Sequence, residues 1–216
     1  MHRTSSSAAT DCAPRPEVRP RKLYFVRHGE TDWNAERRLQ GRRDVPLNAL
    51  GRKQAARCGE LLRELLVVGG ASPRQFAFTS SPLSRARETM AILRTTLGVA
   101  PEDYAIDARL AELSFGRWEG LTYKEVRALD RSVLATRERD KWNFRPPGGE
   151  SYADLLVRVR HWHDGVSGDA IVTAHGGVAR AFLVLYAVKP PAEAPLGDIA
   201  QGVVYEFAPG SVNRYG

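Results

Sequence analysis

Cysteine and methionine are scarce in this chain, with two of each among 216 residues. Cys12 stands in a Ser/Ala/Pro-rich N-terminal stretch and Cys58 in a helical pattern, so no disulfide framework and no CxxC redox or metal pair can be built. That usage fits a cytoplasmic home. No apolar run approaches the ~20 residues that span a bilayer, which excludes a membrane partner by that route. GxSxG elbows and internal repeats are absent, and the Gly-Gly pairs match no nucleotide-binding fingerprint. The first ten residues lack the apolar centre of a secretory signal. Residues 1–20 therefore read as a disordered N-terminal leader, ahead of one folded domain over 21–210.

What is abundant is arginine: 27 of the 32 basic residues, in a chain of net charge +7. The stretch to Arg21 supplies +2, four arginines against Asp11 and Glu17, leaving +5 for the remainder. The basic residues are mostly interleaved with acids, as in Arg85-Ala86-Arg87-Glu88 and Arg137-Glu138-Arg139-Asp140. That is the pattern of solvated helix faces and not of a nucleic-acid surface. A small phosphorylated substrate accounts for the modest positive excess.

Short β-forming runs alternate with amphipathic stretches. Strands are expected at Lys22–Val26, Phe76–Thr79, Tyr104–Asp107, Ala170–Ala174 and Val203–Phe207. Helices are expected from an Asn48 cap to Leu66, from Pro82 to Leu97, from Tyr123 to Leu129, from Ser151 onward, and from Val178 to Val188. Alternation of this kind predicts an α/β fold, a three-layer α/β/α arrangement with a doubly wound, mostly parallel central sheet. Residues 130–147, highly charged and ending in Arg145-Pro146-Pro147-Gly148-Gly149, read as a lid insertion. Arg137, Arg139, Lys141, Trp142 and Arg145 are its candidates for meeting a substrate.

Chemistry concentrates where strands end. Arg27-His28-Gly29-Glu30-Thr31 follows the first strand and His175-Gly176-Gly177 follows a later one. Ligands of open α/β sheets sit beyond the carboxyl ends of the strands. Two histidines, Arg27, and Arg85 one turn into its helix then converge on one point, an anion pocket. His161 and His163, two apart on a helix, face different directions and make no metal pair.

Arg27-His28-Gly29-Glu30-Thr31, with Asn34, Gln40-Gly41, Asp44-Val45-Pro46-Leu47-Asn48, Gly51, Ser80-Ser81-Pro82-Leu83 with Arg85, and His175-Gly176-Gly177, resembles the histidine phosphatase superfamily over residues 22–208. The resemblance implies that His28 becomes phosphohistidine and that Arg27, Arg85, His175 and Asn34 hold the phosphoryl oxygens. Gln40 and Gly41 would face the substrate. Glu112 matches the general acid, with Glu119 and Glu30 as rival carboxylates. Neither cofactor nor metal is implied. Both phosphatases and phosphoglycerate mutases belong to this family. The mutases of the family usually continue from the acid as Glu-Arg-Xaa-Tyr-Gly, the arginine gripping a substrate carboxylate, whereas Glu112 is followed by Leu113-Ser114-Phe115-Gly116. Gly116-Arg117-Trp118-Glu119-Gly120-Leu121-Thr122-Tyr123 and Pro147-Gly148-Gly149-Glu150-Ser151 look instead like the broad-specificity, α-ribazole phosphate and fructose-2,6-bisphosphate phosphatases. The expectation is therefore a phosphomonoesterase acting on a small phosphorylated metabolite, with mutase-type transfer or a non-catalytic phospho-ligand module as alternatives. A homodimer is compatible with such a chain.

Overall fold

The structure is a computed structural model that describes residues 22–216. The leader at 1–20, Cys12 and the first arginines lie outside the described residues.

Strand β1 (Leu23–Arg27) is the centre of the design. Its side chains alternate between two cores, as a period of two requires. Leu23 and Phe25 join one core with Leu155, Val159, Trp162, Val178 and Phe182. Tyr24 and Val26 join the other with Cys58, Leu62, Met90 and Leu93. A sheet with both faces covered is thus sandwiched between two helical layers.

After β1 a short helix α1 (Asp32–Ala35) forms where the sequence reads as a polar loop; Thr31 and Asn34 close a reciprocal capping box around it. The next helix, α2 (Ala49–Val68), starts at Asn48, whose side chain accepts from Gly51 N at 2.9 Å. Strand β2 (Ala77–Ser80) and helix α3 (Ser84–Thr96) follow, and Arg85 falls in the first turn of α3, earlier than the sequence suggests. Strand β3 (Ala105–Ile106) is only two residues long. Helix α4 (Tyr123–Leu129) has its Thr122–Glu125 capping box, and helix α5 (Arg131–Arg139) occupies half of the expected lid. Ser151 caps α6 (Tyr152–Gly165), which leads to β4 (Ala170–Ala174) and α7 (Gly176–Leu185). Strands β5 (Val204–Ala208) and β6 (Ser211–Tyr215) end the chain, so the sheet runs past residue 210.

The strand order is β3-β2-β4-β1-β5-β6. Strands β3, β2, β4 and β1 are parallel neighbours, whereas β5 runs antiparallel to both β1 and β6. β1 and β4 are in register through Arg27 opposite Ala174. Their carboxyl ends therefore release the next residues, His28 and His175, side by side.

Candidate active site

His28 donates from Nδ1 to its neighbour's carbonyl, Gly29 O, at 2.7 Å, and its backbone N–H bonds Ala174 O at 2.9 Å. A carbonyl can only accept, so this bond fixes the tautomer and leaves Nε2 with its lone pair. Arg85 Nε points at that Nε2 from 3.3 Å. The His28 and His175 rings lie 5.1 Å apart, and both are buried. Burial, then Arg85 and Arg27, hold His28 well below the ordinary imidazole range; burial, Arg85 and His28 do the same to His175. Both imidazoles are neutral at neutral pH.

Arg85 is fully buried, and that burial pushes it down to about 10. Its Nη1 and Nη2 donate to Arg43 O at 2.7 Å and Gly41 O at 2.9 Å, so the loop after α1 orients the guanidinium. Gly41 supplies a carbonyl as well as cavity wall. Arg27 donates Nη1 to Ile199 O at 2.6 Å and is also lowered by burial. Asn34 Oδ1 is occupied by Thr31 and by Gln201 Nε2 at 3.0 Å, which leaves its amide N–H₂ for the cavity it lines.

Glu112 faces this group from the loop before α4. Its Oε1 accepts from Leu113 N at 2.8 Å and Gly177 N at 3.1 Å. A Cβ on Gly177 would collide with that oxygen, so glycine is what lets the start of α7 approach the carboxylate. The rivals do other work. Glu119 Oε1 accepts from Arg42 N, Ser114 Oγ and Phe115 N, each at 3.1 Å, pinning two loops together. Glu30 accepts from Asn48 Nδ2 at 3.0 Å beside α2. Neither lines the cavity.

That cavity, about 270 Å³, is walled by Arg27, His28, Asn34, Gln40, Arg85 and Glu112, and also by Arg38, Tyr123, Tyr152 and Arg180. Among the described residues, the buried side-chain polar atoms without a protein partner are Arg27 Nε, Gln40 Oε1, His175 Nδ1 and Arg180 Nε. Arg27, Gln40 and Arg180 line this cavity, whereas His175 is not part of its lining and packs beside His28 with its Nε2 against Ser81 Oγ at 2.7 Å. Buried polar groups are normally paired, so an unpaired set around one hollow marks where the atoms of a polar ligand belong.

The expected lid differs from the sequence reading. Arg137, Arg139, Lys141, Trp142 and Arg145 do not line the cavity. Arg137 lies over the Tyr123 ring at 5.3 Å, and Trp142 stacks on Tyr152 at 6.0 Å. Lys141 and Arg145 pair with Glu138 and Asp154 at 2.9 and 2.8 Å. The segment thus backs two tyrosines of the cavity wall. Arg180 and Gln201 are site residues that sequence reading missed. Arg180 had one signal, being the only charged residue of the apolar helix α7; Gln201 arrives from a loop and had none.

An α/β/α sandwich with paired histidines and buried arginines at the carboxyl ends of parallel strands defines a phosphate-handling class of protein. The model of the Histidine phosphatase superfamily (branch 1) matches residues 23–210, and the chain belongs to that family. Glucosyl-3-phosphoglycerate phosphatase of Mycobacterium tuberculosis is 33% identical, covering 90% of each chain. A 2,3-bisphosphoglycerate-dependent phosphoglycerate mutase of Gloeobacter violaceus is 33% identical over 75% of this chain and 74% of its own. A bifunctional protein of Mycobacterium tuberculosis is 38% identical over 67% of this chain, but the match spans only 37% of that protein. Among solved structures, mycobacterial glucosyl-3-phosphoglycerate phosphatase superposes with a TM-score of 0.72 at 29% identity, covering 87% of this chain and 90% of its own. Among the described residues no helix is long and apolar enough to cross a membrane.

Proposed function

We propose that this protein is a phosphomonoesterase that hydrolyses a small phosphorylated metabolite through phosphohistidine at His28. The observation that carries the reading is the unprotonated Nε2 of neutral His28, met by Arg85 Nε at 3.3 Å, in the wall of a cavity where the buried Nε atoms of Arg27 and Arg180 lack partners. His28 Nε2 attacks phosphorus while the bond to the ester oxygen breaks. Arg27, Arg85, His175 and Asn34 hold the equatorial oxygens as charge develops on them. Protonated Glu112 gives its proton to the departing alkoxide. The resulting carboxylate then takes a proton from water, the hydroxide attacks phosphorus, the P–N bond breaks, and inorganic phosphate leaves. Gln40 and Gly41 stand where the rest of the ester begins, and the lid segment at 130–147 sets part of the cavity wall through Tyr123 and Tyr152. We place the activity in the cytoplasm.

A sugar-linked or simple phosphoglycerate is the first substrate to try, because the relatives that cover most of this chain are named for such esters. The mutase reading draws on one of those relatives. Against it, Glu112 is followed by Leu113, which lines the cavity and stands where the mutase motif carries its arginine. Phosphate release from a panel of phosphomonoesters, run beside 3-phosphoglycerate isomerisation, separates the two. Release is expected, lost at least about a thousandfold in His28→Ala, with acid-labile phosphate on the wild-type protein after a rapid quench. Isomerisation with little release would make it a mutase. Activity is expected to survive EDTA; loss restored by a divalent ion would overturn the mechanism.

A further inference from the structure

We propose that Arg158, clamped by Glu150, is the positioning residue for Glu112, and that Arg42 joins this mount to the loop that orients Arg85. The proposal rests on the reading of Glu112 as proton donor. It gives a purpose to Pro147-Gly148-Gly149-Glu150-Ser151, a motif the chemistry above leaves unused.

Arg158 sits on α6, two turns in from the Ser151 cap. Its Nε and Nη2 meet Glu150 Oε1 and Oε2 at 2.8 and 2.9 Å, a bidentate pair. Both side chains are less than a fifth exposed, at 18% and 15%. Two further N–H groups go to backbone carbonyls. Nη1 donates to Arg109 O at 2.6 Å and Nη2 to Glu112 O at 3.1 Å. Those two carbonyls bracket the short segment whose last residue carries the acid. From the opposite side, Arg42 Nε reaches the same Glu112 O at 3.4 Å while its Nη2 pairs with Glu150 Oε2 at 3.3 Å. Arg42 lies between Gly41 and Arg43, whose carbonyls hold Arg85. Arg85 is therefore linked to the peptide of the acid through the backbone of residues 41–43 and the Arg42 side chain.

Backbone contacts also tie Glu150 to the loop of the acid. Its N–H bonds Ser114 O at 2.9 Å, and Arg117 N bonds Pro147 O at 3.0 Å. Gly116 is in the left-handed region at φ 56°, and a Cβ there would strike Pro147 O and stand 2.6 Å from Gly149 N. The loops carrying Glu112 and Glu150 thus touch backbone to backbone. A shielded ion pair is by itself weak evidence of stability. What assigns this one a positioning role is the destination of its spare donors, the main chain of the acid. Removing Arg158 leaves Glu112 O with Arg42 alone, and a displacement of ~1 Å can slow a positioned proton transfer ~10²-fold.

The test measures single-turnover alcohol release by Arg158→Met and Glu150→Gln, in wild-type and Glu112→Gln backgrounds. Glycerol 2-phosphate has a poor leaving group that needs the proton, and p-nitrophenyl phosphate a good one that does not. We expect about 10- to 100-fold loss on the alkyl ester and less than about 3-fold on the aryl ester. No further loss is expected in the Glu112→Gln background, and inhibition by inorganic phosphate should stay unchanged. Arg158→Lys, which can keep one contact to Glu150 but not bridge both carbonyls, is expected to fall between; it also serves if the methionine variant folds poorly. Equal losses on both esters, or losses that add to those of Glu112→Gln, would reduce the pair to fold support. If Glu112→Gln alone shows no leaving-group dependence, the general-acid reading fails and the proposal with it.

Discussion

In the proposed mechanism the hydrogen bond from His28 Nδ1 to Gly29 O decides which ring nitrogen reacts, and the charges around the ring decide when. Only neutral imidazole can attack, and lowering the pH removes that form. Because burial with Arg85 and Arg27 depresses His28 well below 6.5, the free protein keeps the proposed nucleophile neutral as pH falls through 6.5. The acid limb of kcat/KM is therefore expected below 6.5; a limb centred at or above that value would contradict the buried, cation-flanked ring. The same depression is a stability statement. Below about pH 6.5 an unfolded histidine takes up a proton that buried His175 refuses, so native stability falls as pH falls, by up to ~1.4 kcal/mol per pH unit for each such group. Above 6.5 the contribution is fully present. Urea unfolding of His175→Gln between pH 6.5 and 5 should show a shallower loss than wild type. An unchanged slope would mean that His175 titrates normally in the native state.

At the scale of elements, the caps were the most legible features. Asn48, Thr122 and Ser151 each begin the helix that the sequence assigns to them. Their local chemistry, a side-chain oxygen meeting a backbone N–H, needs no distant partner. Thr122→Ala is expected to cost about 1 kcal/mol in chemical denaturation, because it also frees Glu125 from its half of the box; no change would mean that the helix is held by packing alone. Helix α1 and strand β6 were not legible, for opposite reasons. α1 has four residues and no apolar face, so no periodicity announces it. β6 has an exposed, largely polar run, Ser-Val-Asn-Arg-Tyr, and owes its state to pairing with β5. The site divides the same way. His28, Arg85, Glu112 and His175 sit in motifs at element ends, whereas Gln201 reaches Asn34 across 167 residues of chain. Charge along the 130–147 segment points to its arginines as the substrate wall, but which side chain meets the cavity is set by packing that charge does not report. The fold instead turns Arg137 onto Tyr123 and presents the tyrosine.

At the scale of the whole molecule, strand order is what gathers the cations. The crossover that takes the chain from β1 past β4 to β2 leaves β4 to return between them, so three carboxyl ends meet at one rim. The folded state thereby holds Arg27, Arg85 and Arg180 around one hollow that has Glu112 as its lining carboxylate. Mutual repulsion there opposes folding, and an anion relieves it while filling the unpaired N–H groups. Binding to the native state alone stabilises by mass action, about 2.7 kcal/mol when ligand stands at a hundred times its Kd. For a chain of this size that is a rise in Tm of roughly 5–10 °C. Inorganic phosphate is expected to produce it in thermal scans of the wild-type protein, and sulfate to act more weakly or not at all at the same ionic strength. Arg85→Met should abolish most of the phosphate shift, since it removes the guanidinium beside His28 while leaving both helical layers in place. A shift that survives in Arg85→Met would put the anion elsewhere on a basic surface. A wild-type protein whose Tm ignores phosphate would mean that the unpaired nitrogens around the cavity do not form a phosphate site at all.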